Sequence, residues 1–367
     1  MTDSFFSPAF GNKPIALIGR TNEMGILTSG LYSPPGSKER ARLIIGQRGM
    51  GKTVLLLELA EFAKNNGFIV ASPTVVSNDM LERILEKLNK SGESVLQSVR
   101  PRITGGSVGI LGFSAGIQTE KPNTERKSFA YQLQEICETA GKAGKGVLIL
   151  VDEVQSGNES LKKLIIAYQE MVGEGCNISM VLAGLPSAIS QTLNEHVLTF
   201  LNRASKMNLD PISISEIIVY YNQAFEKLGI KMSDKWTADA ARRTEGSPYM
   251  MQLIGHYLTI NASEDGKLTE KAFRMAIELA TKEFVDDICS TTLAPLSERD
   301  ISFLKAMSVD EKETSIKDLC IRLNESSAYV NVYRQRLLQA GVIIQRKRGF
   351  VEMAVPYLKD YLSQRDS

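Results

Sequence analysis

Gly46-Gln47-Arg48-Gly49-Met50-Gly51-Lys52-Thr53 has the spacing G-x-x-x-x-G-K-[ST], and no other stretch constrains this chain so tightly. Leu43 to Ile45 end a short β-prone apolar run just before it. Val54, Leu55, Leu56, Leu57, Leu59, Ala60, Phe62 and Ala63 follow at helical spacing, and Asn65-Asn66-Gly67 closes the helix. A strand, a glycine loop and a helix in that order make a phosphate cradle. Glycines let backbone N–H groups turn inward, and the helix N-terminus adds a favourable dipole. Lys52 can reach β- and γ-phosphates, and the Thr53 hydroxyl can bind Mg²⁺. All eight residues from Gly46 to Thr53 are candidate nucleotide contacts, set in an α/β fold with a parallel sheet flanked by helices.

A second site follows from Gly146-Val147-Leu148-Ile149-Leu150-Val151-Asp152-Glu153, an apolar run of the kind found in strands buried on both faces. Asp152 is expected to hold Mg²⁺ through its shell, and Glu153 to orient and activate the attacking water. The plain alternative is an acidic turn after a core strand. A further strand is expected from Asn177 to Leu185. Its end offers only Ala183-Gly184 before Pro186, so no residue is assigned to sensing the γ-phosphate. No N-K-x-D element follows a strand, which favours ATP over GTP.

Composition narrows the remaining classes. The chain has 367 residues, 43% apolar and 23% charged, with a formal net charge of +1. A nearly neutral chain is no general polyanion binder, so any nucleic-acid contact must come from a local basic patch. Cys137, Cys176, Cys289 and Cys320 form no C-x-x-C pair, and His196 and His256 are the sole histidines. A transition-metal site is not expected, and a reducing cytoplasm fits. The start does not read as a signal peptide, and no apolar run approaches the roughly 18 residues needed to span a bilayer.

At these motifs the chain resembles the AAA+ ATPases, in the branch of replication-initiator, transposition and signal-transduction ATPases, over nearly its whole length. "IALIGRTNEMGIL" (Ile15 to Leu27) is similar to a segment that lies over the adenine in that family, which implies Gly19 and Arg20 near the base. "FLNRASKMNLDPIS" (Phe200 to Ser213) resembles the stretch carrying an arginine finger. The resemblance makes Arg203 a catalytic residue reaching into a neighbouring subunit's ATP, where it would offset transition-state charge. A solvated helix arginine is the alternative. "TEGSPYMMQLIGHYL" (Thr244 to Leu258) is similar to the start of the last lid helices, with Gly246-Ser247-Pro248 where initiators usually carry an arginine. There the resemblance implies Pro248 packed on the adenine. Gly-Ser-Pro also reads as a helix stop and restart.

The stretch between Lys52 and Asp152 is long for this architecture, with the excess at about 98–122. "ITGGSVGILGFSAGIQ" (Ile103 to Gln118) alternates like a β-hairpin. It could touch DNA, or serve as a flap or subunit contact. From Pro211 the pattern turns helical and suits a four-helix lid, opened by a Ser213/Glu216 capping box and continued by helices at Ser233, Met250 to Ile260, and Thr269 to Cys289. A linker around Thr291 to Pro295 leads to three more helices, from Ser297 to Met307, Ser315 to Leu323 and Ser326 to Ala340. In the first of these Ile301, Leu304 and Met307 face inward, with Phe303 at the edge of that face. Two short strands then surround Arg346-Lys347-Arg348-Gly349. Three helices and a hairpin make a winged helix-turn-helix. Its third helix could present Asn331, Arg334, Gln335 and Arg336 to a major groove, and the tip residues Arg346, Lys347 and Arg348 could meet a phosphate or a minor groove.

Three units are thus expected: an α/β nucleotide-binding domain (1–208), a helical lid (209–290) and a winged helix (291–367). The first reading is a slow, Mg²⁺-dependent ATPase that forms a homo-oligomer with ATP and binds double-stranded DNA. The second is a signalling or defence scaffold, with a protein partner, whose winged helix packs on the ATPase core.

Overall fold

The computed structural model describes residues 5–8, 17–99 and 127–364. The hairpin expected within 98–122 lies outside the described residues. The glycine loop sits where its flanking elements require. Helix α1 (Thr21–Leu31) precedes strand β1 (Ala41–Ile45), and the loop then opens helix α2 (Lys52–Asn65). Next come β2 (Phe68–Val75), α3 (Met80–Val99), α4 (Phe129–Lys142), β3 (Gly146–Asp152), α5 (Glu159–Gly173), β4 (Ile178–Gly184) and α6 (Pro186–Leu193). A 3-10 segment, His196–Arg203, leads into β5 (Ser205–Asn208).

The five strands form one parallel sheet in the order β2-β3-β4-β1-β5. Its central strands need no polar face, because helices cover both sides. Every residue of β3 and β4 is buried, and Val147 to Val151 are each 0% exposed. One apolar layer joins α3, α4 and α5 to the sheet, and another joins α1 and α2 to its opposite face. The carboxyl ends of β1 and β3 are separated only by β4. That spacing sets the glycine loop beside Asp152.

Four helices follow: α7 (Ile214–Lys227), α8 (Asp234–Arg243), α9 (Pro248–Ile260) and α10 (Glu270–Phe284). Each is opened by a hydroxyl cap: Ser213, Ser233, Ser247 and Thr269 accept from the amides of Glu216, Trp236, Met250 and Ala272. The N-terminal residues reach across to them. Phe6 is buried against Tyr220, Tyr221 and Phe225, and the Ser7 amide donates to Gln252 Oε1 at 2.9 Å.

The expected linker at Thr291 starts later than read. Helix α10 runs through a π-turn (Val285–Cys289) directly into α11 (Ser290–Leu293). No glycine or proline interrupts that stretch before Pro295, and the π-turn absorbs the extra residue. The last unit is α12 (Glu298–Ser308), β6 (Glu313–Ser315), α13 (Ile316–Leu323), α14 (Ser327–Ala340), β7 (Ile343–Ile344), β8 (Phe350–Met353) and α15 (Leu358–Gln364). Its sheet has three antiparallel strands, β6-β8-β7, where the sequence reading gave two. Phe303, expected at the rim of α12, is 1% exposed, while Ile301 is only partly buried. Lid and last unit share one continuous apolar core.

Candidate nucleotide-binding site

The loop obtains its shape from two left-handed glycines, Gly49 at φ 74° and Gly51 at φ 81°, the second capping α2. Lys52 is the first residue of that helix. Its Nζ donates to the carbonyls of Gly46 and Gln47, at 2.8 Å each. Burial pushes the Lys52 amine down to about 8; Asp152 pulls it back up, and the nearby Arg48 guanidinium adds to the depression. A cation held in this way lacks a full counter-charge, and a triphosphate would supply one.

Below the loop, Thr53 Oγ1 donates to Asp152 Oδ2 at 2.5 Å, and Asp152 Oδ1 accepts the Glu153 amide at 2.9 Å. Asp152 is 4% exposed. The Thr53 and Asp152 oxygens are hard donors of the kind Mg²⁺ takes, one or two from protein and the rest from phosphates and water. No cluster of three or more acidic, histidine or cysteine ligands occurs among the described residues. Glu153 turns out of the strand at φ 51° and is exposed, so its carboxylate is open to solvent at the mouth of the site.

Two other parts of the chain close on the loop. From α1, the buried Arg20 pairs with Glu23 at 2.8 Å and donates to the Met50 carbonyl at 3.4 Å. From the lid, the Tyr249 amide donates to the Gly49 carbonyl at 3.2 Å. Pro248 is the first residue of α9, and its Cγ lies 3.9 Å from where a Gly51 β-carbon would stand. Gly246-Ser247-Pro248 thus restarts a helix, and it does so beside the glycine loop.

Residues 16–181 match the AAA ATPase domain family, and residues 286–362 match a domain of unknown function (DUF8462). No curated protein matches the chain. Among solved structures, the Walker-type ATPase of Pyrococcus abyssi is similar at 14% identity and TM-score 0.66, over 95% of this chain and 96% of that one. The ORC2 protein of Aeropyrum pernix, in ADPNP-ADP complexes, is similar at 16% identity and TM-score 0.66, over 97% and 95%. Cdc6p of Pyrobaculum aerophilum matches at 16% identity and TM-score 0.51, over 100% and 99%.

The fold is that of an AAA+ P-loop ATPase.

Within the AAA+ frame the other expected residues fall in separate places. Gly19 has φ 63° and packs so closely that a β-carbon would stand 2.5 Å from Ile212 Cγ2. Arg203 ends the 3-10 segment, exposed, on the approach to the edge strand β5. In the last unit, Asn331 and Gln335 are exposed on α14. Arg336 pairs with the buried Asp300 at 3.0 Å, and Arg334 is partly buried with Nε unpartnered among the described residues. Arg346, Lys347 and Arg348 are exposed at the hairpin tip.

Sequence reasoning missed the contacts that tie the AAA+ loop to the π-turn after α10 and to the last unit. Tyr249 Oη donates to Asp287 Oδ2 at 2.5 Å, and Ile288 lies beside Gly49. The Gln47 side-chain amide donates to the Gly341 carbonyl. The sole local signal was the helix-stopping pair Ala340-Gly341, which marks a C-cap but not its partner. No helix among the described residues is long and apolar enough to cross a membrane.

Proposed function

We propose that this chain is an ATP-hydrolysing switch whose nucleotide state and oligomerisation govern binding of double-stranded DNA by a C-terminal winged helix, as in initiators or transposition regulators. The observation that carries the reading is the Thr53–Asp152 pair beneath the glycine loop, beside a Lys52 whose charge wants an anion. The AAA ATPase domain match and the nucleotide-bound ORC2 relative support the same ligand class.

In this mechanism the loop amides and Lys52 bind the phosphates, and the Gly19 and Pro248 segments flank the base. Thr53 and Asp152 would hold Mg²⁺, which would supply positive charge to offset that of the phosphates. Glu153 accepts a proton from the attacking water as the bond to the β–γ bridging oxygen breaks. Arg203 of a neighbouring subunit stabilises the charge on the leaving group. DNA binding is supported by the order of helices and hairpin in the last unit, by the open face of Asn331 and Gln335, and by the basic tip Arg346-Lys347-Arg348. One such unit binds weakly, so assembly with ATP would raise affinity by multivalency.

A second reading has a specific observation behind it. The last unit sits directly on the glycine loop through Gln47 and Gly341, as in a self-inhibited scaffold that takes a protein partner instead of DNA. A gel shift with a duplex at about 50 and about 200 mM salt, with ATP or ADP, separates the two. The switch reading expects retardation that is stronger with ATP and weaker at higher salt. No retardation, with a nucleotide-dependent change in particle mass, would support the scaffold. Phosphate release by wild type but not by Glu153→Gln tests the hydrolysis step.

A further inference from the structure

We propose that Gln47 is a positioning residue through which the triphosphate and the C-terminal unit compete for the shape of the glycine loop. Gln47 is held at both ends. Its carbonyl accepts from Lys52 Nζ at 2.8 Å, while its side-chain amide donates to the Gly341 carbonyl. Gly341 caps α14 at φ 70°, and it has no room to spare: a β-carbon there would collide with the Gln47 amide and stand 2.7 Å from Pro186 Cγ. The end of α14 is thus seated between the loop and the first residue of α6.

A second grip lies two residues along the loop. The Gly49 carbonyl accepts from the Tyr249 amide, and Ile288 Cδ1 would be 3.7 Å from a β-carbon at Gly49. Tyr249 is itself tied to Asp287. Asp287 and Ile288 belong to the π-turn at the start of the unit of unknown function. Loop residues 47 and 49 therefore each carry a different part of that unit.

Binding of a triphosphate disturbs this arrangement at a known atom. Phosphate oxygens are far stronger acceptors for an ammonium than neutral carbonyls are, so Lys52 leaves the Gly46 and Gln47 carbonyls for the nucleotide. The loop amides turn inward in the same step. Gln47 is then released at its backbone, and in this proposal the turn of the loop draws its side chain off the Gly341 carbonyl. Nucleotide occupancy weakens the seat of α14, and by reciprocity an unseated α14 strengthens nucleotide binding by the same factor. The strand β4 ends without a polar residue, and α9 starts without an arginine. This route gives the unit of residues 286–362 a direct reading of the phosphate site.

The inference rests on the ATP half of the proposed function and is independent of DNA. Hydrogen exchange on the full chain, with calorimetric ATP binding on the same samples, tests it. The Val342 amide, bonded to the Leu337 carbonyl, reports the seat of α14. In wild type, saturating ATP should speed its exchange by at least about five-fold. Gln47→Met, similar in size but without a donor, should show the fast rate without nucleotide and no further step with it. Gly341→Ala, outside the loop, cannot seat against Gln47 and should bind ATP more tightly, by a factor matching the wild-type ATP step. Bound ATP with unchanged Val342 exchange in wild type, or a full ATP step retained by Gln47→Met, overturns the proposal. A wild-type chain that takes up no ATP at all removes the ATP reading along with it, and the calorimetry tells that outcome from the others.

Discussion

Lys52 shows why the glycine loop is legible in sequence and its surroundings are not. The residue types and spacing of the loop are those a phosphate cradle needs, so they can be named without their tertiary partners. Gln47 and Gly341, by contrast, are 294 positions apart, and no local pattern joins them. The electrostatic state of Lys52 is likewise a tertiary property, and it has a measurable consequence. Its amine is lowered from 10.5 to about 8, so between those values the unfolded chain binds more protons than the folded one. Stability from this group therefore rises with pH across that window, and charging Lys52 at neutral pH is a cost that a bound anion offsets. For the nucleotide the sign is opposite. Above pH 8 the free protein has lost the proton that the phosphates need, so binding must take one up. ATP affinity should fall by about tenfold per pH unit above 8. Calorimetry at pH 9 in two buffers of different ionisation heat should show uptake of nearly one proton, and at pH 7 almost none. An affinity flat from pH 7 to 10 would mean that Lys52 is not the group binding the phosphates.

Elements whose ends carry side-chain signals were readable. The lid helices announce themselves with hydroxyl caps, and β3 with its unbroken apolar run. Elements defined by their partners were not. Glu313-Thr314-Ser315 has no strand pattern, and becomes one through pairing with Phe350 to Glu352. The N-terminal Phe6 gave no sign of its place, yet it fills the space left by Gly255 in α9, where a β-carbon would stand 2.6 Å from Phe6 Cγ. Its ring lies 5.3 Å from Phe225 and 5.7 Å from Tyr220, centroid to centroid. Such a ring, 1% exposed, should cost about 3–5 kcal/mol when truncated, because its neighbours on α7 and α9 cannot all relax into the gap. Phe6→Ala should therefore lower the denaturation midpoint of the chain markedly. The single Trp236, stacked on Phe273 in the lid at 5.3 Å, offers a fluorescence probe of that transition. A midpoint unchanged within error would show that the N-terminal segment does not fasten the lid.

At the scale of the whole molecule, the strand order sets Arg203 apart from the glycine loop, as the proposed shared hydrolytic site requires. Asp152 and the glycine loop lie at the ends of β3 and β1, with only β4 between them, whereas Arg203 leads into β5, the sheet edge beyond β1. Arg203 is exposed and has no hydrogen bond or ion pair to another described residue. An arginine free at an edge can serve a site in the next protomer if subunits join head to tail, each contributing a loop to one interface and an arginine to the other. Composition called for a local basic patch in any nucleic-acid contact, but it carried no sign of a subunit interface. The arrangement has a sharp kinetic signature. Glu153→Gln and Arg203→Ala should each abolish most turnover, the second by about 10³-fold or more. Mixed in equal amounts, they should regain activity, because a protomer with Arg203→Ala keeps an intact Glu153 and can receive Arg203 from a neighbour with Glu153→Gln. Random mixing gives about a quarter of interfaces both intact halves, so phosphate release should recover to roughly a quarter of wild type. A mixture no more active than either variant alone would assign Arg203 to its own chain or to solvent, and the shared-site model would fall.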